Sequence, residues 1–174
     1  MVLIKLESAD KKLFSLTRQD CLKRIETVRQ IIEMSSGTGE VMKIPIPRVY
    51  AASLRKILEW LVKHEKMPED NRLPVLKKDE PFDEWHEEFF EEEIDLLFDL
   101  VRDADYLGIS ELAIQTAQAI NAALMKVSVK DRREMITRVQ KNQREREAME
   151  IQREREAAAE KEAEPATKKV KVDE

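Results

Sequence analysis

Residues 44–60 of the chain read Ile44-Pro45-Ile46-Pro47-Arg48-Val49-Tyr50-Ala51-Ala52-Ser53-Leu54-Arg55-Lys56-Ile57-Leu58-Glu59-Trp60. The opening residues predict a short strand from about Val41, closed by Pro45 and Pro47. Because proline cannot donate a hydrogen bond to a neighbouring strand, this strand belongs at a sheet edge. From Ala51 the apolar residues recur at spacings of three and four, which predicts a helix to about His64 with Trp60 near the boundary of its apolar stripe.

The preceding segment predicts a β-hairpin and a helix. Val2, Ile4 and Leu6 alternate with other side chains, and the strand pattern resumes at Leu13–Leu16 after a turn at Ser8-Ala9-Asp10. A helical spacing of apolar residues then runs from about Arg18 to Met34, where a glycine-containing segment ends it.

An acidic segment separates this part from a pair of predicted helices. We interpret Glu65 to Glu84 as an exposed loop, because prolines interrupt it and acidic residues accumulate towards its end. Apolar spacing then predicts one helix from Ile94 to about Tyr106 and another from Ile109 to about Ala123. Two such neighbouring helices are expected to pack together.

The remainder of the chain is dominated by charge. Among the 174 residues 39% are charged, with a formal net charge of −5. Ser128 with Asp131 fits the start of a further helix, but bulky apolar residues become rare after Val139, so only partial helicity to about Glu160 is expected, with Pro165 ending it. We therefore divide the chain into a domain at 1–125, an extension at 126–140 and a charged tail at 141–174.

Composition limits the cellular setting. The longest apolar runs span only a few residues, so neither a membrane span nor a secretory signal is expected. The single cysteine, Cys21, cannot form an internal disulfide, which agrees with a reducing compartment. We expect an intracellular protein that does not bind membranes.

The residues do not favour an enzyme. His64 and His86 are the only histidines, neither lies in a metal-binding or triad spacing, and both are expected at the surface. Gly37 and Gly39 precede a strand instead of the helix that a phosphate site needs. The carboxylates lie in the proline-interrupted segment, where nothing desolvates them. We expect no catalytic residues, no cofactor and no metal.

Nucleic-acid binding is also disfavoured, because the net charge is negative and the basic residues of the tail alternate with acidic ones. One local basic cluster, Lys168, Lys169 and Lys171 after Pro165, resembles a short nuclear localisation signal. A nuclear import receptor is thus a candidate partner, with localisation in the nucleus and cytoplasm.

Three blocks of the sequence resemble one family. Residues 44–60 resemble its Ile-Pro-x-Pro-x-Val strand and following helix, Trp85 with Phe89 resembles its Trp-x-x-x-Phe, and residues 97–109 resemble its Leu-Phe-x-Leu and Ala-x-Tyr-Leu-x-Ile. The family is the S-phase kinase-associated (Skp-type) adaptors of Skp-cullin-F-box ubiquitin ligases. The resemblance implies an α+β chain with a BTB/POZ fold, in which a small three-stranded sheet packs against several helices. It also implies a non-catalytic scaffold that joins an F-box protein to a cullin in the ubiquitination pathway.

The resemblance implies a cullin contact at Asp105 and Tyr106, where the family presents Asn-Tyr. Tyr106 matches this pattern and Asp105 does not. A carboxylate in place of a neutral amide is expected to weaken or redirect the choice of cullin, since an unpaired charge at an interface costs desolvation energy.

The resemblance implies that F-box proteins bind the helix predicted from Ile109 and the extension that follows it. The candidate residues are Leu112, Thr116, Ile120, Leu124 and Ile136, the first four of which fit the ordinary core of a helix equally well. The terminal tryptophan helix of the family has no counterpart in residues 143–164, so F-box affinity is expected to be reduced or restricted to particular receptors.

Other functions remain open on the sequence. The altered extension and the Lys168–Lys171 cluster favour, as an alternative, a nuclear BTB-type interaction module that assembles no ligase. An elongin-C-like function is disfavoured, because that family lacks the Trp85 block. Weak self-association through the helix surface near Ile120 is left open.

Overall fold

A computed structural model describes residues 3–17, 24–34, 41–64 and 81–163. These ranges contain three strands and six helices. The chain divides into two compact units, residues 1–132 and 133–174. The first unit therefore ends seven residues beyond the domain boundary expected at residue 125.

The three strands form one sheet at the amino-terminal end of the chain. β1 (Leu3–Glu7) pairs antiparallel with β2 (Leu13–Thr17) and parallel with β3 (Val41–Pro45), which gives the order β2-β1-β3. Side chains of β1 alternate between the two faces of the sheet, and Ile4 and Leu6 are buried on one face with Ile44 of β3. The predicted hairpin and the edge position of β3 are confirmed.

The turn of the hairpin also contacts the helix that follows β3. The helix before β3 is α1 (Glu26–Met34), and the helix after it is α2 (Ala51–Lys63). The Ser8 hydroxyl donates to Oδ1 of Asp10 at 2.7 Å, and the same oxygen accepts from the backbone N–H of Ala51 at 2.9 Å. The side chain of Tyr50, at the N-cap position of α2, does not cap the helix. The first turn of α2 is therefore capped by a residue of the hairpin.

Both helices differ in detail from the sequence-based expectation. α1 begins at Glu26 within the described residues, after Ile25, whereas residues 18–23 of the predicted helix lie outside the described ranges. Trp60 of α2 is 0% exposed, so its expected position near the edge of the apolar stripe was wrong. Complete burial is possible because its indole N–H donates to Oε1 of Gln115 at 2.9 Å.

A short helix, α3 (Glu84–Phe89), starts at the end of the predicted acidic loop. Residues 65–80 of that loop lie outside the described ranges, but Glu84 is helical, so the loop ends earlier than expected. The Asp83 side chain accepts a hydrogen bond from the backbone N–H of His86 at 2.9 Å and caps the helix. This cap, together with glutamates in the first turn, explains why an acidic segment can be helical here.

The predicted helical pair is confirmed as α4 (Ile94–Tyr106) and α5 (Ser110–Met125), which pack against each other. α4 also packs against α2, so the core of the first unit lies between these three helices and the inner face of the sheet. Gly108 connects α4 to α5 with a φ of 74°, a backbone conformation that glycine adopts without strain.

The last helix, α6, extends over Val129–Ala163. Its first turn has the expected cap, since the backbone N–H of Asp131 donates to the Ser128 hydroxyl at 3.2 Å. The predicted helicity of the tail, to about Glu160, is confirmed and continues to Ala163. Pro165 and the three lysines of the proposed nuclear signal lie outside the described residues.

No helix in the described ranges is long and apolar enough to cross a membrane. In the same part of the chain, no three His, Cys, Asp or Glu side chains converge in a way that could hold a metal ion.

Candidate interaction surfaces

The end of α4 presents the two residues expected to contact a cullin. Asp105 and Tyr106 are both exposed, and 36% of the Tyr106 surface is accessible. Their neighbours on each side, Ala104 and Leu107, are completely buried. The two predicted residues therefore form an exposed edge at the end of α4, and the buried residues on each side hold this edge in place.

The amino-terminal turn of α1 supports this edge. The Thr27 hydroxyl donates to the Tyr106 carbonyl at 2.9 Å, and the Thr27 backbone N–H donates to the Leu107 carbonyl at 3.4 Å. A Cβ atom placed on Gly108 would lie 2.7 Å from Cβ of Glu26, closer than such atoms approach in proteins. Glycine is thus required at position 108 both by its φ and by the approach of α1.

We expect Gly108→Ala to lower the free energy of unfolding by about 1–2 kcal/mol, because a left-handed residue with a side chain is strained and the new methyl group also meets Glu26. Chemical denaturation measured by circular dichroism tests this. The matched control is Ser110→Ala, an exposed position two residues further on, which should change stability by less than about 0.5 kcal/mol. Equal stability of the two variants would contradict the close packing of α1 on this connection.

A buried carboxylate lies one turn before the edge. Asp103 is 1% exposed, accepts hydrogen bonds at Oδ1 from Arg102 at 2.9 and 3.0 Å, and accepts another at Oδ2 from the Ser53 hydroxyl. Burial raises the pKa of Asp103 from its ordinary 3.8 to about 6, although Ser53 and Arg102 act in the opposite direction. The carboxyl group therefore titrates at about pH 6 and links α2 to α4.

The two histidines belong to an aromatic cluster, so their expected surface positions were wrong. His64 is 1% exposed and stacks on Trp60, with 4.0 Å between the ring centroids. Its Nδ1 lies 2.7 Å from the Trp60 carbonyl, to which it donates a hydrogen bond as the neutral tautomer. Burial lowers the pKa of His64, so the ring is neutral at pH 7. The ring is buried because it continues the face of α2 that Trp60 occupies, four residues earlier.

His86 lies beside this pair, with its ring centroid 5.3 Å from that of His64. Its side chain is 13% exposed, and Nδ1 lies 2.7 Å from Oδ1 of Asp83. Within the described residues Nε2 is buried without a hydrogen-bond partner. Trp85 contacts both histidine rings and Phe89, which places the Trp-x-x-x-Phe block at the contact of α3 with the end of α2.

Most of the predicted F-box residues are covered. Leu112 and Thr116 are 0% exposed and Ile120 is 7% exposed, and the Thr116 hydroxyl donates to the Leu112 carbonyl at 2.7 Å. This burial favours the reading of these three residues as ordinary core. Leu124, near the end of α5, is half-buried, as is Ile136 of the second unit. Leu124 and Ile136 therefore keep exposed side-chain surface, and F-box contact by the five residues stays a prediction.

The sequence analysis missed an open groove between α3 and α5. It has a volume of about 1140 Å³ and is lined by apolar, small and acidic residues of both helices. The sequence signal was the absence of charge on α5, where Glu111 is the only charged residue among 16. That pattern was interpreted only as core-forming helix.

Comparison with known proteins relates the chain to one protein family. The family described as "Skp1 family, tetramerisation domain" matches residues 2–66. Suppressor of kinetochore protein 1 of Schizosaccharomyces pombe is 32% identical over 114 residues, which cover 63% of this chain and 68% of that protein.

Two fungal relatives carry the name "E3 ubiquitin ligase complex SCF subunit sconC". The protein of Aspergillus flavus is 31% identical over 96 residues, covering 54% of this chain and 58% of the relative. The protein of Arthroderma otae is 30% identical over 112 residues, covering 63% of this chain and 66% of the relative. The matched part of this chain thus spans somewhat under two thirds of the length of these relatives.

Proposed function

Because the chain belongs to the Skp1 family, we propose that it is a non-catalytic adaptor that joins an F-box substrate receptor to a cullin in a ubiquitin ligase. The observation that best supports this proposal is the exposed Asp105–Tyr106 edge at the end of α4. It lies where the resemblance implies cullin binding, and hydrogen bonds from Thr27 hold its backbone. A partly exposed aromatic residue on a fixed support loses little conformational entropy on binding.

The F-box side of the proposal depends on the region from the end of α5 onwards. Leu124 is the half-buried member of the predicted set in the first unit, and Arg132 donates to its carbonyl at 2.9 Å. This hydrogen bond fixes the backbone at Leu124, although residues 143–164 contain no counterpart of the family's terminal tryptophan helix. We propose that F-box proteins dock through this smaller apolar contact, with lower affinity than a standard family member provides.

Substitutions at the α4 edge test the cullin contact. We expect Tyr106→Ala to weaken capture of a cullin amino-terminal domain by tenfold or more, because it removes the aromatic side chain of the interface. We expect Asp105→Asn to strengthen capture, since it removes a carboxylate that must be desolvated. Binding of purified cullin domains to the full chain, measured by biolayer interferometry, gives both values.

Glu59→Gln, which changes an exposed carboxylate on α2, is the matched control and should leave capture unchanged. The adaptor proposal fails if the chain captures neither any F-box protein nor any cullin domain under conditions in which a standard family member captures both. The cullin part of the proposal fails if Tyr106→Ala and Glu59→Gln bind the cullin domain equally well.

The alternative of a nuclear interaction module without ligase assembly is not favoured, because two of the relatives named above carry the name of a ubiquitin ligase complex subunit. Nuclear entry through Lys168, Lys169 and Lys171 stays a prediction, as does weak self-association near Ile120. The three lysines lie outside the described residues, and Ile120 is almost completely buried.

A further inference from the structure

α5 is unusually poor in charge for this protein. The chain is 39% charged, yet the 16 residues of α5 include a single charged residue, Glu111. Leu112 and Thr116 account for one apolar face, which is buried in the core of the first unit. A surface helix normally places charged residues on its other face, whereas a helix that is apolar all round has both faces covered.

The other face of α5 is open within the described structure. Ile114 is 42% exposed, and Ala117, Asn121 and Ala122 are also exposed. These residues line the groove of about 1140 Å³, together with Phe82 and Phe90 from either side of α3. The groove is open and slightly larger than the roughly 300–1,000 Å³ of small-molecule pockets, which agrees with a polypeptide as its occupant. The small side chains on its floor allow a partner backbone to approach closely.

The opposite wall of the groove is acidic. Four glutamates line this wall at spacings of three and four, so they form one stripe along α3 and its end. They are Glu84, Glu87, Glu88 and Glu91. All four are exposed. Lys126 is the one cationic residue among those lining the groove. An apolar floor beside a negative wall is complementary to a segment that carries large apolar side chains on one face and lysine or arginine beside them.

We propose that the groove between α3 and α5 docks a basic amphipathic helix of a partner protein. This surface is separate from the proposed cullin edge, because none of its lining residues is Asp105 or Tyr106. Its lining residues do not include the buried Leu112 and Thr116 either. The apolar side chains of the partner helix fill the space beside Ile114 and Phe90, and its basic residues face the glutamate stripe.

A direct test uses a designed peptide and the full chain. The probe is a fluorescein-labelled 16-residue helix with leucine at i, i+3, i+4 and i+7 spacing and lysine beside the leucine stripe. Fluorescence anisotropy should show saturable binding that weakens strongly in about 0.5 M salt, since the charged wall is exposed to solvent. A peptide of identical composition with scrambled leucine positions should bind at least about tenfold more weakly.

Two pairs of variants locate the binding site. Binding of the probe should weaken about tenfold in the triple variant Glu87→Gln/Glu88→Gln/Glu91→Gln. The control is a triple variant with the same total charge, Glu33→Gln/Glu59→Gln/Glu134→Gln, which should change probe binding less than about twofold. Ala122→Gln, which narrows the floor of the groove, should also weaken binding at least fivefold. Its control, Ala52→Gln on the exposed side of α2, should have no effect. Circular dichroism confirms that each variant is folded.

Several results would overturn the proposal. Equal binding of the scrambled peptide, or equal effects of the two triple variants, would show attraction by net charge alone. A concentration-dependent dimer that Ala122→Gln abolishes would identify a second copy of the chain as the occupant. Tighter probe binding by Lys168→Gln/Lys169→Gln/Lys171→Gln would identify the basic cluster of the chain itself as the occupant. Because none of these measurements involves a cullin or an F-box protein, failure here leaves the proposed adaptor function unaffected.

Discussion

Trp60→Ala is expected to lower the free energy of unfolding by about 3–5 kcal/mol, the cost of truncating a large aromatic residue in a core. Trp60 is 0% exposed, stacks on His64 and donates to Gln115. Its removal leaves a cavity, an unsupported histidine ring and a buried amide oxygen without its donor. Since small domains have only about 5–15 kcal/mol of stability, the variant is expected to unfold at much lower denaturant concentration.

The control for this prediction is the other tryptophan of the chain. Trp85 is half-buried, so Trp85→Phe should cost less than Trp60→Phe, although the two substitutions are chemically identical. The cost of Trp60→Phe should be about 1–3 kcal/mol, because Gln115 keeps a buried oxygen without a donor, and it should shrink when Gln115→Leu removes that oxygen as well. Similar losses for the two phenylalanine variants would contradict the buried Trp60–Gln115 hydrogen bond.

The second large effect concerns pH. We expect the stability difference between the wild type and Asp103→Asn to change by about 2–3 kcal/mol between about pH 4 and pH 7.5, because a tenfold change in proton affinity is worth about 1.4 kcal/mol. The pKa of Asp103 is raised from 3.8 to about 6 by burial, so the folded protein holds this proton more tightly than the unfolded chain. Its contribution to stability is complete below about pH 4 and is lost as the pH rises through 6.

The comparison with the asparagine variant isolates this group from its surroundings. His64, whose pKa is lowered by burial, destabilises the folded protein as the pH falls, but it does so equally in both proteins. Arg102 and Asp99, the charged neighbours of Asp103, are likewise common to both. The free energy of unfolding of Asp103→Asn should therefore increase relative to that of the wild type as the pH rises from acid to neutral. A stability difference between Asp103→Asn and the wild type that does not change with pH would contradict the raised pKa of Asp103.

Local patterns predicted most of the regular structure. The hairpin, the edge strand ending at Pro45 and the helices α2, α4 and α5 each have a periodic apolar side of their own, which the sequence displays directly. α3 was missed because its six residues are too few to show a period and its glutamates were interpreted as a solvated loop. The available signal was Asp83 three residues before His86, a capping arrangement, with Trp85 and Phe89 four residues apart.

The site was predicted less completely, because exposure depends on contacts between distant segments. Asp105 and Tyr106 are exposed as expected, since the end of a helix is seldom covered. The burial of Leu112, Thr116 and Ile120 depends on their packing in the assembled unit, which the spacing on α5 alone cannot show. Asp103 was not singled out by the sequence analysis, because its buried partner Ser53 lies 50 positions away. The Trp60–His64 stack had a visible signal in its four-residue spacing.

The cap of α2 has a consequence for how the first unit unfolds. The first turn of α2 obtains its hydrogen bond from Asp10, 41 residues earlier, and the backbone N–H of Ala9 in the same turn donates to the Val49 carbonyl at 2.8 Å. Opening of the hairpin therefore removes the capping hydrogen bond from the amino-terminal end of the helix, and fraying of the helix leaves Asp10 bonded only within the turn, where it accepts from the Ser8 hydroxyl. We therefore expect the hairpin turn and the first turn of α2 to open together as one cooperative unit.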